Sequence, residues 1–495
     1  MSDEKIQAGF EKSQQKIRKR AKAMGQAPIW KLLILFSGPV ILSMVINGSY
    51  TIVDAIFVGR LGSEALGALT VVFPLTMIYM AVSMGTGVGS ASLISRSLGA
   101  GHYKQANRCA CVAITLALLI GVFTTFIYLT NMEGLLRLFG ARDLVLPLAK
   151  QYLTIMVIFT FIHASVLIIG NIIRAGGSPI ISGSAMIASA IINIILDPIL
   201  IFGLGPIPRM EVAGAATATV ISQAVGLGIF LFYFISGRSA FTFNIRNFIP
   251  DFKLLSEIYR VGFSSSVMMG AMSLVMALAN NLAAAYGTIP LAVLGLVFRL
   301  ARFTFMPTMG LGQGMLPLVG FNYGAKQKDR VGETVIKAGA ASLIWGLLCW
   351  LVFMIFPTQI ISSFSSNPQF IKEGILALRI FVLFFFAVQL QMIASSFFQG
   401  IGKGIPSLVL SSARQVIFLI PGLLVLSKLF GLTGLWAAFP TADALSVLLT
   451  LIWVSVEFRK QGIHLKLKPA SPVPEFHIEA EEVKQSSAIR QKSRM

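Results

Sequence analysis

The chain has 495 residues, of which 56% are hydrophobic and only 12% are charged, and its mean hydropathy is +0.81. Soluble domains carry about 25% charged residues, so this composition excludes an ordinary soluble protein and indicates one embedded in lipid. Cys109, Cys111 and Cys349 are too few and too apolar in setting for a disulfide framework or a metal site. The net charge of +20 lies mainly in tails and short loops, which excludes a nucleic-acid-binding surface and leaves membrane lipids as partners.

The first 30 residues are polar and basic, and they lack the apolar core of a cleaved signal peptide. We expect residues 1–30 to form a cytoplasmic tail and the first apolar helix to act as the targeting signal. Residues 461–495 mix Pro, Glu and Lys, a composition that predicts a disordered cytoplasmic tail.

Between the tails lie twelve apolar runs of about 20 residues or more, the length that crosses a bilayer. Because an open sheet edge cannot face lipid, these runs are predicted to be helices. Turn signals such as Gly176-Gly177-Ser178-Pro179 and Asn367-Pro368 separate them. The runs lie near 31–58, 66–92, 106–130, 146–173, 180–203, 212–236, 254–283, 289–317, 331–356, 373–399, 405–430 and 432–457.

Basic residues in the loops predict the orientation. If the N-terminus is cytoplasmic, the cytoplasmic loops hold 12 basic residues, Arg414 among them, against 7 in the opposite loops. The basic N-terminal tail adds to the same side. We therefore expect a multi-pass protein of the inner (cytoplasmic) cell membrane with both termini in the cytoplasm.

The two halves of the sequence repeat each other at an offset of 225 residues. Because each half contains an even number of helices, the second copy enters the membrane the same way up as the first, which predicts a parallel repeat. The prediction is therefore an all-α membrane protein with an N-lobe (31–245, helices 1–6) and a C-lobe (246–460, helices 7–12). The matching segments are 73–75 with 298–300, 84–87 with 309–312, 98–101 with 323–326 and 174–177 with 399–402.

Carboxylates inside the predicted helices are the candidate functional groups, since a charge at mid-span costs about 2.5–3.5 kcal/mol. Three acids lie well inside the helices: Asp54, Asp197 and Asp443. In helix 1, Asp54 ends a polar stripe at helical spacing that includes Asn47 and Tyr50 or Thr51. A stripe of this kind either binds a transported species or only hydrogen-bonds neighbouring helices, and we favour the first.

In helix 5, Asn193 lies one turn before Asp197, and Pro198 frees a backbone carbonyl. Thr217 and Thr219 begin helix 6 at a similar depth. Carboxylate, amide and hydroxyl oxygens suit a proton or a small cation such as Na⁺, although Asp-Pro near a helix end also serves as a cap or kink. Pro39, preceded by Gly38, predicts a hinge in helix 1.

Asp443 in helix 12 is interpreted either as a substrate contact or, preferentially, as the partner of a buried arginine. The candidate partners are Arg299 and Arg302 in helix 8 and Arg379 in helix 10. His163 is interpreted as a core histidine rather than a proton relay. No catalytic constellation, cofactor motif or phosphate-binding loop is found, so an enzyme and direct use of ATP are both disfavoured.

Taken together, these residues resemble the multidrug and toxic compound extrusion (MATE) family across about 31–457. The resemblance is carried by Gly38-Pro39, the run Asp54-Ala55-Ile56-Phe57-Val58-Gly59, the Asn193…Asp197-Pro198 patch, the Gly214-Ala215-Ala216 start of helix 6 and the duplicated Gly-Ala loops.

The resemblance implies that cationic or amphipathic compounds are exported in exchange for H⁺ or Na⁺. It assigns ion coupling to Asp54, Asn193, Asp197 and Thr217, with Thr219 as the alternative threonine, and bending to Pro39. Some family members have acids in helices 7 and 10, whereas here helix 7 has none beyond Glu257 at its mouth and helix 10 has Gln389 and Gln391. A sodium site in the second lobe is therefore not expected. A monomer is expected, and a flippase for a lipid-linked precursor, which would use the arginines, is the alternative.

Overall fold

The computed structural model describes residues 20, 23–203, 205–239, 241–243 and 245–463, with only the backbone described for 50–53, 55, 245 and 246. Most of both predicted tails therefore lies outside the described residues. Within the described ranges the secondary structure is helical and contains no strand.

The first half of the chain forms six helical elements. They are α1 (Ile29–Gly59), α2 (Ser63–Gly99), α3 (Tyr103–Leu138), α4 in two segments (Val145–Ile158 and Thr160–Ala175), α5 (Pro179–Phe202) and α6 (Glu211–Ile235). A 3₁₀ turn, Ile245–Phe248, follows at the predicted junction of the lobes.

The second half forms six more elements. The first four are α7 (Phe252–Ala285), α8 (Thr288–Gly324), α9 (Lys328–Ile355), which is followed by the short helix Pro357–Ser362, and α10 in two segments (Pro368–Phe381 and Phe385–Gly400). A last stretch runs from Gly404–Ser412 through a π-helix, Ala413–Leu419, into Ile420–Gln461, which is broken at Gly431. We name the part before this break α11 and the part after it α12.

These elements account for the twelve predicted spans. In the described part of the chain, nine helices are long and apolar enough to cross a membrane, and two bent pairs add two more. Dividing the 58-residue stretch Gly404–Gln461 at Gly431 gives the twelfth. The bends in α4 (51°) and α10 (48°) were not predicted, because neither break contains the proline or glycine that normally marks a kink.

The repeat is visible in the backbone of the structure. α2 and α8 each contain 37 residues and begin and end 225 positions apart. The turn after each helix is closed by the same hydrogen bond, from His102 N to the Ser97 carbonyl and from Gln327 N to the Asn322 carbonyl, both 2.8 Å long. The structure thus confirms the parallel repeat of two six-helix lobes.

Among the described residues, the core that both lobes share lies at one side of the membrane, the side where α1 begins and α12 ends, which we call the terminal side. There a single apolar cluster combines Phe36 and Leu98 of the first lobe with Phe321 and Phe397 of the second. Toward the opposite side, which we call the far side, each lobe has its own clusters, around Tyr79 in the first and Trp436 in the second. The lobes are therefore joined at the terminal side and have separate cores at the far side.

Candidate functional site

The best-defined polar site lies inside the first lobe, where α5 packs against α1 and α6. Asn193 and Asp197 lie one helical turn apart on α5, and both are buried. The Asn193 amide donates from Nδ2 to Asp197 Oδ1 (3.2 Å) and lies 3.4 Å from the Thr219 hydroxyl of α6. Three polar side chains from two helices therefore meet near the far side of the lobe.

Several oxygen atoms of this site are buried and receive no hydrogen bond among the described residues: Asp197 Oδ2, Asn193 Oδ1 and Asp54 Oδ1. Neither Asp54 nor Asp197 takes part in any of the ion pairs that the described residues form. Buried carboxylate oxygens without donors or a cationic partner are costly, so the arrangement favours a bound proton or small cation.

Asp54 reaches the site from α1, close to the far end of that helix. Its carboxylate is half-buried, and it is near enough for its charge to act on Asp197. Two carboxylates in one apolar pocket repel each other when both are ionised. A proton or cation shared between α1 and α5 would remove that repulsion.

The threonine of the site is Thr219 rather than Thr217. The Thr217 hydroxyl donates to the Ala213 carbonyl of its own helix (2.8 Å), whereas Thr219 meets Asn193. Two positions on a helix differ by about 200°, so only one of the two threonines faces α5. Asn47 is half-buried on α1, and the side chain of Tyr50 lies outside the described residues.

Pro39 lies inside α1 and contacts α5 at Gly183, where an added Cβ would overlap the proline ring. Further contacts tie this part of α1 to the second lobe. The Ser37 hydroxyl donates to the Leu311 carbonyl of α8 (3.3 Å), and Gly310 of α8 lies against the backbone of Ile41. The predicted hinge therefore sits where α1 touches both lobes.

The partner of Asp443 differs from every predicted candidate. Arg414, in the π-helix of α11, places Nε 2.6 Å from Asp443 Oδ1, and both side chains are largely buried. The preferred interpretation of Asp443 as half of a buried ion pair is consistent with this contact. The prediction missed Arg414 because its charge was counted with the loops, although the residue lies within the span.

Arg299, Arg302 and Arg379 are exposed, and none of them forms an ion pair within the described residues. They therefore do not neutralise Asp443.

His163 packs edge-on against Tyr79, with ring centroids 5.3 Å apart, which fits a histidine of the lobe interior.

The sequence model of the family described as MatE matches residues 39–199 and 265–424. The two matched blocks fall one in each lobe, at the offset of the repeat. Together they cover well over half of the chain.

Among curated proteins, the chain is similar to the multidrug export protein MepA of Staphylococcus haemolyticus (strain JCSC1435). The two are 29% identical over 430 residues, which is 87% of this chain and 94% of the relative.

Among solved structures, a MATE transporter in the bent conformation is 26% identical, with a TM-score of 0.84 over 90% of this chain and 98% of the other. An outward-facing multidrug resistance transporter of the MATE family and MOP superfamily is 27% identical. Its TM-score is 0.83 over 89% of this chain and 98% of the other.

Proposed function

The chain belongs to the MatE family of multidrug efflux transporters, and from that premise we propose that it exports cationic or amphipathic small molecules in exchange for H⁺ or Na⁺. The single observation that carries this proposal is the pair of acids, Asp54 and Asp197, that share one lobe without a basic partner among the described residues. A chain retains such groups in lipid when they serve transport.

The chemistry of the site suits a small cation. Asp54, Asp197, Asn193 and Thr219 offer carboxylate, amide and hydroxyl oxygens, which are hard donors. A proton neutralises one carboxylate, while Na⁺ binds several of the oxygens together. Either ion lets the two carboxylates stay buried side by side.

The position of the site supports uptake of the ion from outside the cell. With both termini in the cytoplasm of an inner-membrane protein, the terminal side is cytoplasmic and the far side is external. Asp54 and Asp197 lie near the far ends of α1 and α5, and the core that the lobes share in the described part of the chain lies at the terminal side. We propose that this is the state that takes up the ion and releases the cargo.

α1 provides the link between ion and cargo. It carries Asp54 at one end, and near the other it holds Pro39 against Gly183 of α5 and Ser37 against α8. Ion binding changes the charge between α1 and α5 and so changes how the two helices pack. A bend of α1 at Pro39 would then alter the contact of α1 with the second lobe. We propose that the cargo then binds in a cleft between the lobes that includes Asn47 of α1, and that the transporter acts as a monomer.

One observation favours a second candidate, a flippase for a lipid-linked precursor. Arg299, Arg302 and Arg379 are exposed within the second lobe and lack ion pairs among the described residues. Because an arginine that faces lipid is costly, a cleft that holds an anionic pyrophosphate would suit these side chains.

The experiment that tests the proposal uses the full chain in sealed proteoliposomes with a fluorescent cationic dye. An imposed pH gradient and an imposed Na⁺ gradient are applied in separate arms. The proposal requires dye movement against its gradient in at least one arm and its loss with an ionophore for that ion. If neither gradient drives the dye while a lipid-linked pyrophosphate is translocated, the flippase replaces the exporter.

A further inference from the structure

A cavity with several charged residues in its lining lies at the terminal side, between the lobes and away from the acids of the first lobe. Its volume is about 550 Å³. The first lobe lines it with Arg96, Ser97 and His102, and the second with Glu257, Lys326 and Lys328. A ligand in this cavity would touch both lobes at once.

The cavity is basic. Arg96, Lys326 and Lys328 outnumber the single acid Glu257, whose charge acts on Arg96. Neither lysine forms an ion pair with any residue that the structure describes. Both exposed lysines therefore line a concave site in which three basic side chains meet one acid.

Lys326 has a backbone conformation that lysine disfavours, with φ at +59°. The turn requires a residue with a positive φ. In the first copy of the repeat that residue is Gly101, with φ at +80°, and Lys326 occupies the equivalent position in the second. Both residues close their turns with equivalent hydrogen bonds, from Gly101 N to the Leu98 carbonyl and from Lys326 N to the Tyr323 carbonyl. The second copy therefore holds a strained lysine where glycine would suffice, and such strain points to a role for the side chain.

Arg96 crosses the boundary between the lobes. Its guanidinium lies against Gly402, in the turn between α10 and α11 of the second lobe. Nε donates to the Ser92 carbonyl of its own helix (3.3 Å), and the Arg96 side chain lines the cavity. The positive wall is therefore assembled only while the lobes are joined at this side.

From this geometry we propose that the terminal-side cavity binds an anionic phosphate ester, whose charge is not offset by a cationic group of its own, and that the bound phosphate holds the lobes together. Lysine serves as a point charge for phosphate, and the Ser97 and His102 side chains are available hydrogen-bond donors. The cavity lies at the ends of α2 and α8, at the level of the lipid headgroups. A phospholipid headgroup and a soluble phosphate ester share the chemistry that it recognises.

The test measures thermal unfolding of the purified full-length protein in neutral detergent. Three compounds are titrated: a short-chain phosphatidylglycerol, a phosphatidylcholine of equal chain length, and glycerol phosphate. Phosphatidylglycerol is expected to raise the unfolding temperature more than phosphatidylcholine. If glycerol phosphate raises the unfolding temperature as much, the ligand of the cavity is a soluble phosphate ester. If glycerol phosphate has no effect, the ligand is the lipid headgroup. Either result supports phosphate binding in the cavity.

The decisive variant is Lys326→Gly, which relieves the backbone strain while it removes the charge. It is expected to unfold at the wild-type temperature or above without lipid, and yet to bind phosphatidylglycerol about fivefold more weakly. Lys328→Gln is expected to weaken binding similarly, and Lys326→Arg to retain it.

Lys428→Gln is the matched control, since it removes an exposed lysine near the far side, at the end of α11. The proposal is overturned if phosphatidylglycerol and phosphatidylcholine stabilise the wild type equally. It is also overturned if Lys326→Gly and Lys328→Gln both bind phosphatidylglycerol as tightly as Lys428→Gln does. The assay involves no transport, so its outcome is independent of the proposed ion coupling.

Discussion

Gly99 of α2 and Gly324 of α8 are counterparts in the repeat, and each faces the backbone of the helix that carries the other. A Cβ at Gly99 would overlap the Phe321 carbonyl, and a Cβ at Gly324 would overlap the carbonyl of Arg96, the counterpart of Phe321. The two helices thus cross with pseudo-twofold symmetry at the terminal side. Because the neighbouring atoms belong to the backbone, neither helix could make room for a methyl group without a shift of the whole helix.

Gly324→Ala is expected to push α2 and α8 apart and to weaken the joined state, at a cost of about 1–3 kcal/mol. The measurement is thermal unfolding, together with the distance between probes placed on the α2–α3 and α8–α9 turns. Gly228→Ala in α6 is the control, because its Cβ would meet nothing within 4 Å. Equal stability and equal probe distances in the two variants would contradict the crossing.

Thr219→Val is expected to raise the concentration of coupling ion needed for half-maximal dye efflux by about two- to tenfold, since one hydrogen bond of the site is lost. Thr217→Val should leave that concentration unchanged, because its hydroxyl serves only its own helix. Efflux rates measured across a range of pH and Na⁺ compare the two variants, which carry the same chemical change. A larger effect at Thr217 would reassign the site to the other face of α6.

Asp443→Asn is expected to destabilise the protein by about 3–5 kcal/mol, because Arg414 then remains buried without its counter-charge. Replacing both residues, as Asp443→Leu with Arg414→Met, should recover most of that loss. Thermal unfolding of Asp443→Asn, and of Asp443→Leu, Arg414→Met and their double variant, provides the measurement. If the double variant is as unstable as both single changes added together, the residues are not coupled.

Gly183→Ala is expected to slow transport strongly, since its methyl group would press on Pro39 and prevent α1 from packing against α5. Gly228→Ala again provides a tolerated glycine for comparison. Dye efflux is measured per folded protein, with folding checked by gel filtration. Wild-type transport by Gly183→Ala would show that the contact between α1 and α5 is not needed for the cycle.

The fold could be predicted from the sequence because two independent features indicate it. Long apolar runs specify the membrane spans, and the repeat at an offset of 225 residues specifies two copies of one bundle. The breaks at Phe159 and near Phe384 were missed, since no proline or glycine marks them. The two breaks lie at equivalent positions of the repeat, since Phe159 and Phe384 are 225 residues apart.

The sequence also named Asp54, Asn193 and Asp197, and the structure brings them together in one lobe. Helical periodicity explains why two of them meet, because Asn193 and Asp197 share a face of α5 at any packing angle. The choice between Thr217 and Thr219 required the rotation of α6 about its axis, which a single sequence does not specify. Arg414 was missed because a basic residue near a helix end looks like a loop residue until its partner on α12 is known.

We propose that Asp54 and Asp197 bind the coupling ion and release it when cargo binds. Ion release from the purified protein is measured when the cationic dye is added, in weakly buffered solution for H⁺ and with a Na⁺-selective probe for Na⁺. Release is expected from the wild type and from Glu64→Gln, which removes an exposed acid at the far end of α2. Little or no release is expected from Asp54→Asn or Asp197→Asn. Undiminished release from the double variant Asp54→Asn with Asp197→Asn would contradict the proposal.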